Sequence, residues 1–271
     1  MMATKAVPRP AFVVFGQLRH FYKYFGYFIR CFFLFKRPLR FLACYLFQRL
    51  PQDRLVELKD GLKIFLSDHP SDIATVFIIF GREEYGKVRS SGAVVDVGAN
   101  IGVFSLYAAR AGSKRVDAYE PNQASFSVLA RNVVENQFEN RILTHRFAVT
   151  GKDGQMVKFP KASNPTNAIL TSDRGEPFEL VPTTTLEAIV KSTGRIDLLK
   201  MDCEGVEYEI LYNTSASSFE QIGSIFLEYH NDKVEELTSF LNGRGFEKKV
   251  IRKDSDLSGI IWVTRAENRL R

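Results

Sequence analysis

Five acids, a lysine and a histidine fall in four short stretches of this 271-residue sequence, at spacings that suit one reaction centre. Between Ala93 and Ser105, Asp96 stands beside a glycine turn bounded by Gly98 and Gly102, and Glu120 follows 24 residues after Asp96. Lys200, Asp202 and Glu204 alternate along one stretch, and Glu228 and His230 along another. A carboxylate beside a glycine turn repels a pyrophosphate but suits a cation or a free amino group. The G-x-x-x-G spacing also departs from the G-x-G-x-x-G of dinucleotide binders. Both features point to S-adenosylmethionine, which carries a sulfonium, an ammonium and no phosphate. Glu120, at the end of the next strand, is placed to accept hydrogen bonds from both ribose hydroxyls.

The second half of the set suits the transfer itself. Methyl transfer from a sulfonium is an in-line displacement, and a base must lie within hydrogen-bond reach of the acceptor hydroxyl. The candidate catalytic residues are Lys200, Asp202, Glu204, Glu228 and His230. By the two-residue alternation of a strand, Lys200 and Asp202 share one face, as do Glu228 and His230. Two roles are open. Either His230 or Asp202 is the general base, or Asp202, Glu228 and His230 hold one divalent cation that acidifies the acceptor. Oxygen-rich ligation with one imidazole suits magnesium or manganese more than zinc. A purely structural role is the competing reading, in which Lys200 pairs with Glu204 or Glu207 and holds the loop.

The elements that must position these groups are legible in the apolar pattern. Ala93 to Val97, the glycine turn and Val103 to Arg110 read as strand, turn and helix. Gly112 stops that helix, Arg115 to Glu120 is the next strand, and Asn122 caps a helix running to about Asn136. Ile142 to Val149 reads as the third strand, Gln155 to Phe159 as a further one, and 160–180 as a loop beside the site. A short helix from Thr185 to Lys191 leads into a strand from Ile196 to Met201. Ser224 to Tyr229, Phe246 to Ile251 and Gly259 to Thr264 are strands, with a helix from Asp232 to Leu241. The last two strands lack an intervening helix, which predicts an antiparallel hairpin closing a doubly wound α/β sheet. Upstream, Leu55 to Leu58 and Leu62 to Leu66 flank an Asp60-Gly61 turn. Asp72 to Phe80 reads as a helix leading to Tyr85.

Val95 to Gly102, Tyr119-Glu120-Pro121 and Leu199 to Glu207 together resemble the FkbM-type S-adenosylmethionine-dependent methyltransferases, over about Leu55 to Trp262. The resemblance implies a class I methyltransferase (Rossmann-like) fold with a seven-stranded sheet and helices on both faces. It also implies O-methylation of a sugar, polyketide or related hydroxyl. The expected cofactor pocket comprises Asp96, Gly98, Ala99, Asn100, Gly102, Phe104, Ser105, Glu120, Pro121 and Asn122. Tyr85, from the entry segment, and Ala148, beside the adenine, complete it. Cys203 departs from the aliphatic residue common at its place. The expected acceptor is a glycan, a glycolipid or a secondary metabolite, a carboxyl acceptor being a close variant. The rival readings are an inactive S-adenosylmethionine-binding module recruited to a membrane assembly and a nicotinamide oxidoreductase.

Charge divides the chain at about residue 52. Residues 1–52 hold nine Lys or Arg and no acid, whereas the rest holds 28 basic and 31 acidic residues. The net charge of +6 therefore belongs to the N-terminal extension, and no nucleic-acid partner is expected for the domain from 53 to 271. Read as a helix, Arg19 to Arg37 places Phe21, Phe25, Phe28, Phe32 and Phe35 on one stripe and Arg19, Lys23, Arg30 and Arg37 opposite it. Pro38 ends it, and Leu39 to Leu50 forms a second helix. Such a basic, aromatic segment suits an anionic membrane surface; the same stripe also suits packing on protein. Arg30 and Lys36-Arg37 interrupt every apolar run well short of a span. The three cysteines form no C-x-x-C pair and fit a reducing, cytoplasmic compartment, with residues 1–50 peripheral on the cytoplasmic membrane face.

Overall fold

The computed structural model describes residues 25–86, 88, 92–162, 168–170, 177–230, 233–253 and 258–265. Residues 25–34 form helix α1, and Pro38 opens α2 (Pro38–Leu46), where its missing N–H is harmless. The expected stripe positions at Phe21 and Lys23, and Arg19, lie outside the described residues. β1 (Leu55–Glu57) and β2 (Lys63–Phe65) form the antiparallel hairpin expected around Asp60-Gly61. α3 (Ser71–Val76) continues into a π-helical turn, Phe77–Gly81.

The αβ body then follows in order. It comprises β3 (Ala93–Val97), α4 (Val103–Arg110), β4 (Arg115–Tyr119), α5 (Gln123–Glu135), β5 (Ile142–His145), β6 (Ala148–Thr150), β7 (Met156–Pro160) and β8 (Phe178–Thr185). After these come α6 (Leu186–Thr193), β9 (Leu198–Met201), α7 (Glu207–Tyr212), α8 (Ala216–Glu220), β10 (Ser224–Tyr229), α9 (Val234–Gly243), β11 (Phe246–Lys253) and β12 (Gly259–Arg265). The main sheet has seven strands in the order β5-β4-β3-β9-β10-β12-β11, and β12 alone runs antiparallel to its neighbours. The strand order reverses between β3 and β9, so their carboxyl ends open the crevice where doubly wound sheets bind ligands.

Two elements differ from the sequence expectation. The single strand expected over 142–149 breaks after His145, and Ala148–Thr150 leaves the main sheet to pair with β8. Arg146, at the break, forms an ion pair with Glu179 of β8. The end of the expected loop at 160–180 is itself the start of β8, the centre of a three-stranded sheet in the order β6-β8-β7. Residues 163–167 and 171–176 of that loop lie outside the described residues.

Alternation along the strands builds two apolar layers. Val94 and Ala118 face one way, into a cluster with Leu106 and Leu129 of α4 and α5. Val95, Val97, Leu199, Met201 and Leu227 face the other, against Leu186, Ile210, Phe219 and Leu237 of α6 to α9. The α1–α2 hairpin packs into the first layer through Cys31, Phe35, Phe41 and Leu42. Phe35 stacks on Phe41 at 3.8 Å between ring centroids, and Tyr45 on Phe77 at 4.0 Å. Cys31 takes the centre of the buried face of α1, which turns Phe25 and Phe32 outward while Phe35 stays buried.

Candidate active site

The turn after β3 depends on backbone conformations that side chains resist. Gly98 and Gly102 have φ of 72° and 84°, and Asn100 between them has φ of 49°. A Cβ on Gly98 would lie 1.9 Å from the carbonyl oxygen of Asp202, so the ends of β3 and β9 interlock at this position. The Asp202 N–H in turn donates to the Val97 carbonyl at 3.1 Å.

Glu120 joins this turn to the end of β4. One carboxylate oxygen accepts the Asn100 N–H and the other the Asn122 N–H, both at 2.8 Å. Burial pushes its pKa up to about 7, against these two bonds, which favour the anion. Asn122 caps α5 through Ser125, and its amide donates to the Pro160 carbonyl at 2.8 Å. Its role in the structure is to fix the loop that follows β7.

A cavity opens between these strand ends. Of the residues expected at the cofactor, Tyr85, Gly98, Ala99, Asn100, Phe104, Glu120, Pro121 and Ala148 line it, and Lys200, Asp202 and Glu204 enter from β9. Asp96, Gly102, Ser105, Asn122, Glu228 and His230 are not part of that lining. Beside Val149, the neighbour of Ala148, the cavity has an apolar wall of Phe147, Phe159 and Ile169 that the sequence does not announce and that suits a flat aromatic ring. Only the β6-β8-β7 sheet brings Phe159 and Ala148 together, and nothing in the local pattern signals that sheet.

Asp96 is fully buried and turned toward α4. It accepts the Ser105 hydroxyl at 2.6 Å and pairs with the Lys200 ammonium at 3.1 Å. Lys200 therefore pairs across the sheet with Asp96, and it also donates to the Gly98 carbonyl at 2.7 Å. Burial alone would lower the pKa of Lys200, but Asp96 and Asp202 outweigh it and the net shift is upward. Lys200 stays a cation and cannot serve as a base.

The loop after β9 is organised by Glu207, a fully buried carboxylate that was read from sequence only as a possible partner of Lys200. It accepts the N–H groups of Cys203 at 3.0 Å and of Gly205 at 3.0 and 3.2 Å, and meets His230 Nδ1 at 3.0 Å. His230 Nε2 then faces Glu204 at 3.4 Å. Glu204 reaches it because its backbone adopts φ of 55°. Asp202, Glu204 and His230 offer ligand atoms within 4.8 Å of one another. Glu228, expected in that group, pairs with Ile260 within the sheet and lies outside it.

Burial raises the pKa of Asp202, and it raises those of Glu204 and Glu228 to about 7. Burial would lower His230, but its bond to Glu207 and the charges of Glu207, Glu204 and Asp202 lift it to about 9. At neutral pH the carboxylates are therefore the candidate bases and His230 is an imidazolium. The effects on stability share one sign. Glu120, Glu204 and Glu228 keep protons that the unfolded chain sheds above about 4.5, so their contribution falls as pH climbs to about 7. The contribution of His230 is full below 6.5 and is lost as pH rises through about 9. The free protein is thus expected to melt at progressively lower temperature between pH 6 and 9. A flat or rising melting temperature across that range would contradict these environments.

This topology, with a cavity across the carboxyl ends of β3, β4 and β9, defines a class I methyltransferase. The Methyltransferase FkbM domain profile matches residues 96–248, and the chain belongs to that family of S-adenosylmethionine-dependent methyltransferases. Methyltransferase 1 of Beauveria bassiana (strain ARSEF 2860) is 26% identical over 186 residues, covering 59% of this chain and 74% of its own length. Methyltransferase sdnD of Sordaria araneosa is 24% identical over 206 residues, covering 64% and 75%. Among solved structures, M. capricolum TrmK in complex with S-adenosyl-homocysteine is similar with a TM-score of 0.46 and 15% identity, covering 68% of this chain and 67% of that one.

Proposed function

We propose that this methyltransferase acts on a neutral hydroxyl of a sugar, a glycolipid or a secondary metabolite. The observation that carries this reading is the entry of Asp202 and Glu204 into the cavity that the Gly98 turn and Glu120 line. In the step itself, the acceptor oxygen attacks the methyl carbon and the carbon–sulfur bond breaks. Neutral S-adenosylhomocysteine departs, and the hydroxyl proton passes to the Asp202 carboxylate. A carboxyl acceptor needs no base, and its charge would be repelled by the two acids, so they favour the hydroxyl.

Asp202, Glu204 and, once its proton is displaced, His230 also have the donor set and the spacing for a divalent cation such as magnesium or manganese, with Glu207 orienting the imidazole. Such a cation would lower the pKa of the hydroxyl. Loss of turnover in EDTA and recovery with manganese would favour this second reading over an unaided Asp202.

The cofactor half is tested by calorimetric titration with S-adenosylhomocysteine. Micromolar affinity is expected for the wild type. Glu120→Gln removes the charge that would accept two ribose hydroxyls, so affinity should fall at least about tenfold. Equal affinity in the variant would place the ribose elsewhere. Binding without turnover on any hydroxyl acceptor would instead support an inactive binding module.

A further inference from the structure

Seven of the thirteen exposed large apolar side chains among the described residues lie between positions 25 and 47. On α1 they are Phe25, Ile29, Phe32 and Phe33, at i, i+4, i+7 and i+8. On α2 and its end, Leu39, Ala43, Leu46 and Phe47 repeat the same spacing and are all exposed. Each helix therefore carries two apolar stripes. One is sunk into the body of the protein, and the other faces outward, with Phe33, Leu39 and Phe47 at least 70% exposed. Lys36 and Arg37, each more than half exposed, stand at the turn between the two helices, where Lys36 pairs with Glu57 and Arg37 shares Asp53 with Arg40, so that three cations face two acids.

We propose that this outer face of the α1–α2 hairpin seats on an anionic lipid bilayer. An apolar stripe on helices that carry cations and no acid of their own, with a net positive rim, is what an interfacial helix requires. Charge also decides against the other occupants. Residues 1–52 contain no Asp or Glu, so the preceding residues 1–24 offer it no opposite charge, and in a second copy the acids beside this face, Asp53 and Glu57, are already paired with that copy's own cations. Among the described residues no helix is long and apolar enough to cross a membrane, and the hairpin lies on the surface rather than spanning it.

The seat is close to the cavity. Tyr45 and Phe28 of the hairpin pack on Phe77, and the same α3 and π-helical segment lines the cavity with Thr75 and Ile79. On the methyl-transfer reading, an acceptor held by the bilayer is one helical layer away.

Deleting the hairpin would strip Cys31, Phe35, Phe41 and Leu42 from the core, so outward point variants make the cleaner test. The full chain would be sedimented with phosphatidylcholine vesicles with and without phosphatidylserine. The wild type should pellet with the serine-containing vesicles, and less so as salt rises. The double variant Phe33→Ser/Phe47→Ser should weaken partitioning at least tenfold while keeping the wild-type melting temperature and S-adenosylhomocysteine affinity. A wild type that stays in the supernatant overturns the proposal, as does a double variant that pellets equally. A dimer seen by light scattering, split by the double variant and indifferent to vesicles, would also overturn it and assign the face to self-association.

Discussion

Asp202→Asn is expected to lower turnover by about a thousandfold while changing S-adenosylhomocysteine affinity by no more than about threefold. The amide keeps the shape of the carboxylate and its place in the cavity wall, but it cannot take a proton. General-base assistance contributes about a hundred- to ten-thousandfold, and the raised pKa of Asp202 brings the group toward the range where transfer is efficient. Glu204 also lines the cavity and its pKa is raised to about 7, so Glu204→Gln is the necessary comparison. If Asp202 is the base, Asp202→Asn should lose far more of kcat than Glu204→Gln, with KM little altered in either. Wild-type turnover in Asp202→Asn would refute the assignment. Equal losses in both variants, coupled to a manganese requirement, would move the chemistry to the cation.

Lys200→Met is expected to destabilise the fold strongly. Asp96 is fully buried and Lys200 is 4% exposed. Removing the ammonium leaves an uncompensated carboxylate and takes the donor from the Gly98 carbonyl. Breaking a buried pair in this way costs about 3–5 kcal/mol. For a domain of this size that corresponds to a melting temperature lower by roughly 6–20 °C. Adding Asp96→Asn in the same chain should restore much of the loss, because the amide can still accept the Ser105 hydroxyl. A Lys200→Met protein melting within a degree of the wild type would show that the pair contributes little.

These residues also mark how far the sequence could be read. The β3 turn, the strand ending at Glu120 and the closing β11–β12 hairpin were legible, because apolar runs there end in glycine, proline or acidic stops. The partner of Lys200 was not. Asp96 and Lys200 face each other only because β3 and β9 pair in parallel with those two residues in register, a fact of strand order and not of spacing along the chain. The organising role of Glu207 is hidden in the sequence because its three partners, Cys203, Gly205 and His230, come from one loop and from the end of a different strand. The start of β8 falls in the expected loop and the rest goes unassigned, because Pro182 and a run of three threonines hide a strand whose inward positions are Val181 and Thr183. On α1 the aromatic repeat was visible, but which aromatics turn inward depends on where Cys31 docks.

The acids around the cavity also bear on what happens after the methyl group has gone. On the proposed placement of the cofactor, S-adenosylmethionine would arrive with a positive sulfur, and the ionised forms of Glu120, Asp202 and Glu204 would favour a cation over a neutral molecule of the same outline. Lys200 is paired with Asp96 and His230 with Glu207, which would leave part of that preference in place. Transfer erases the charge on sulfur, so the spent cofactor meets the same walls with less attraction than its precursor had. A site of this kind would separate fresh from used cofactor by charge, and relief from product inhibition would follow from the same residues that recruit the methyl donor.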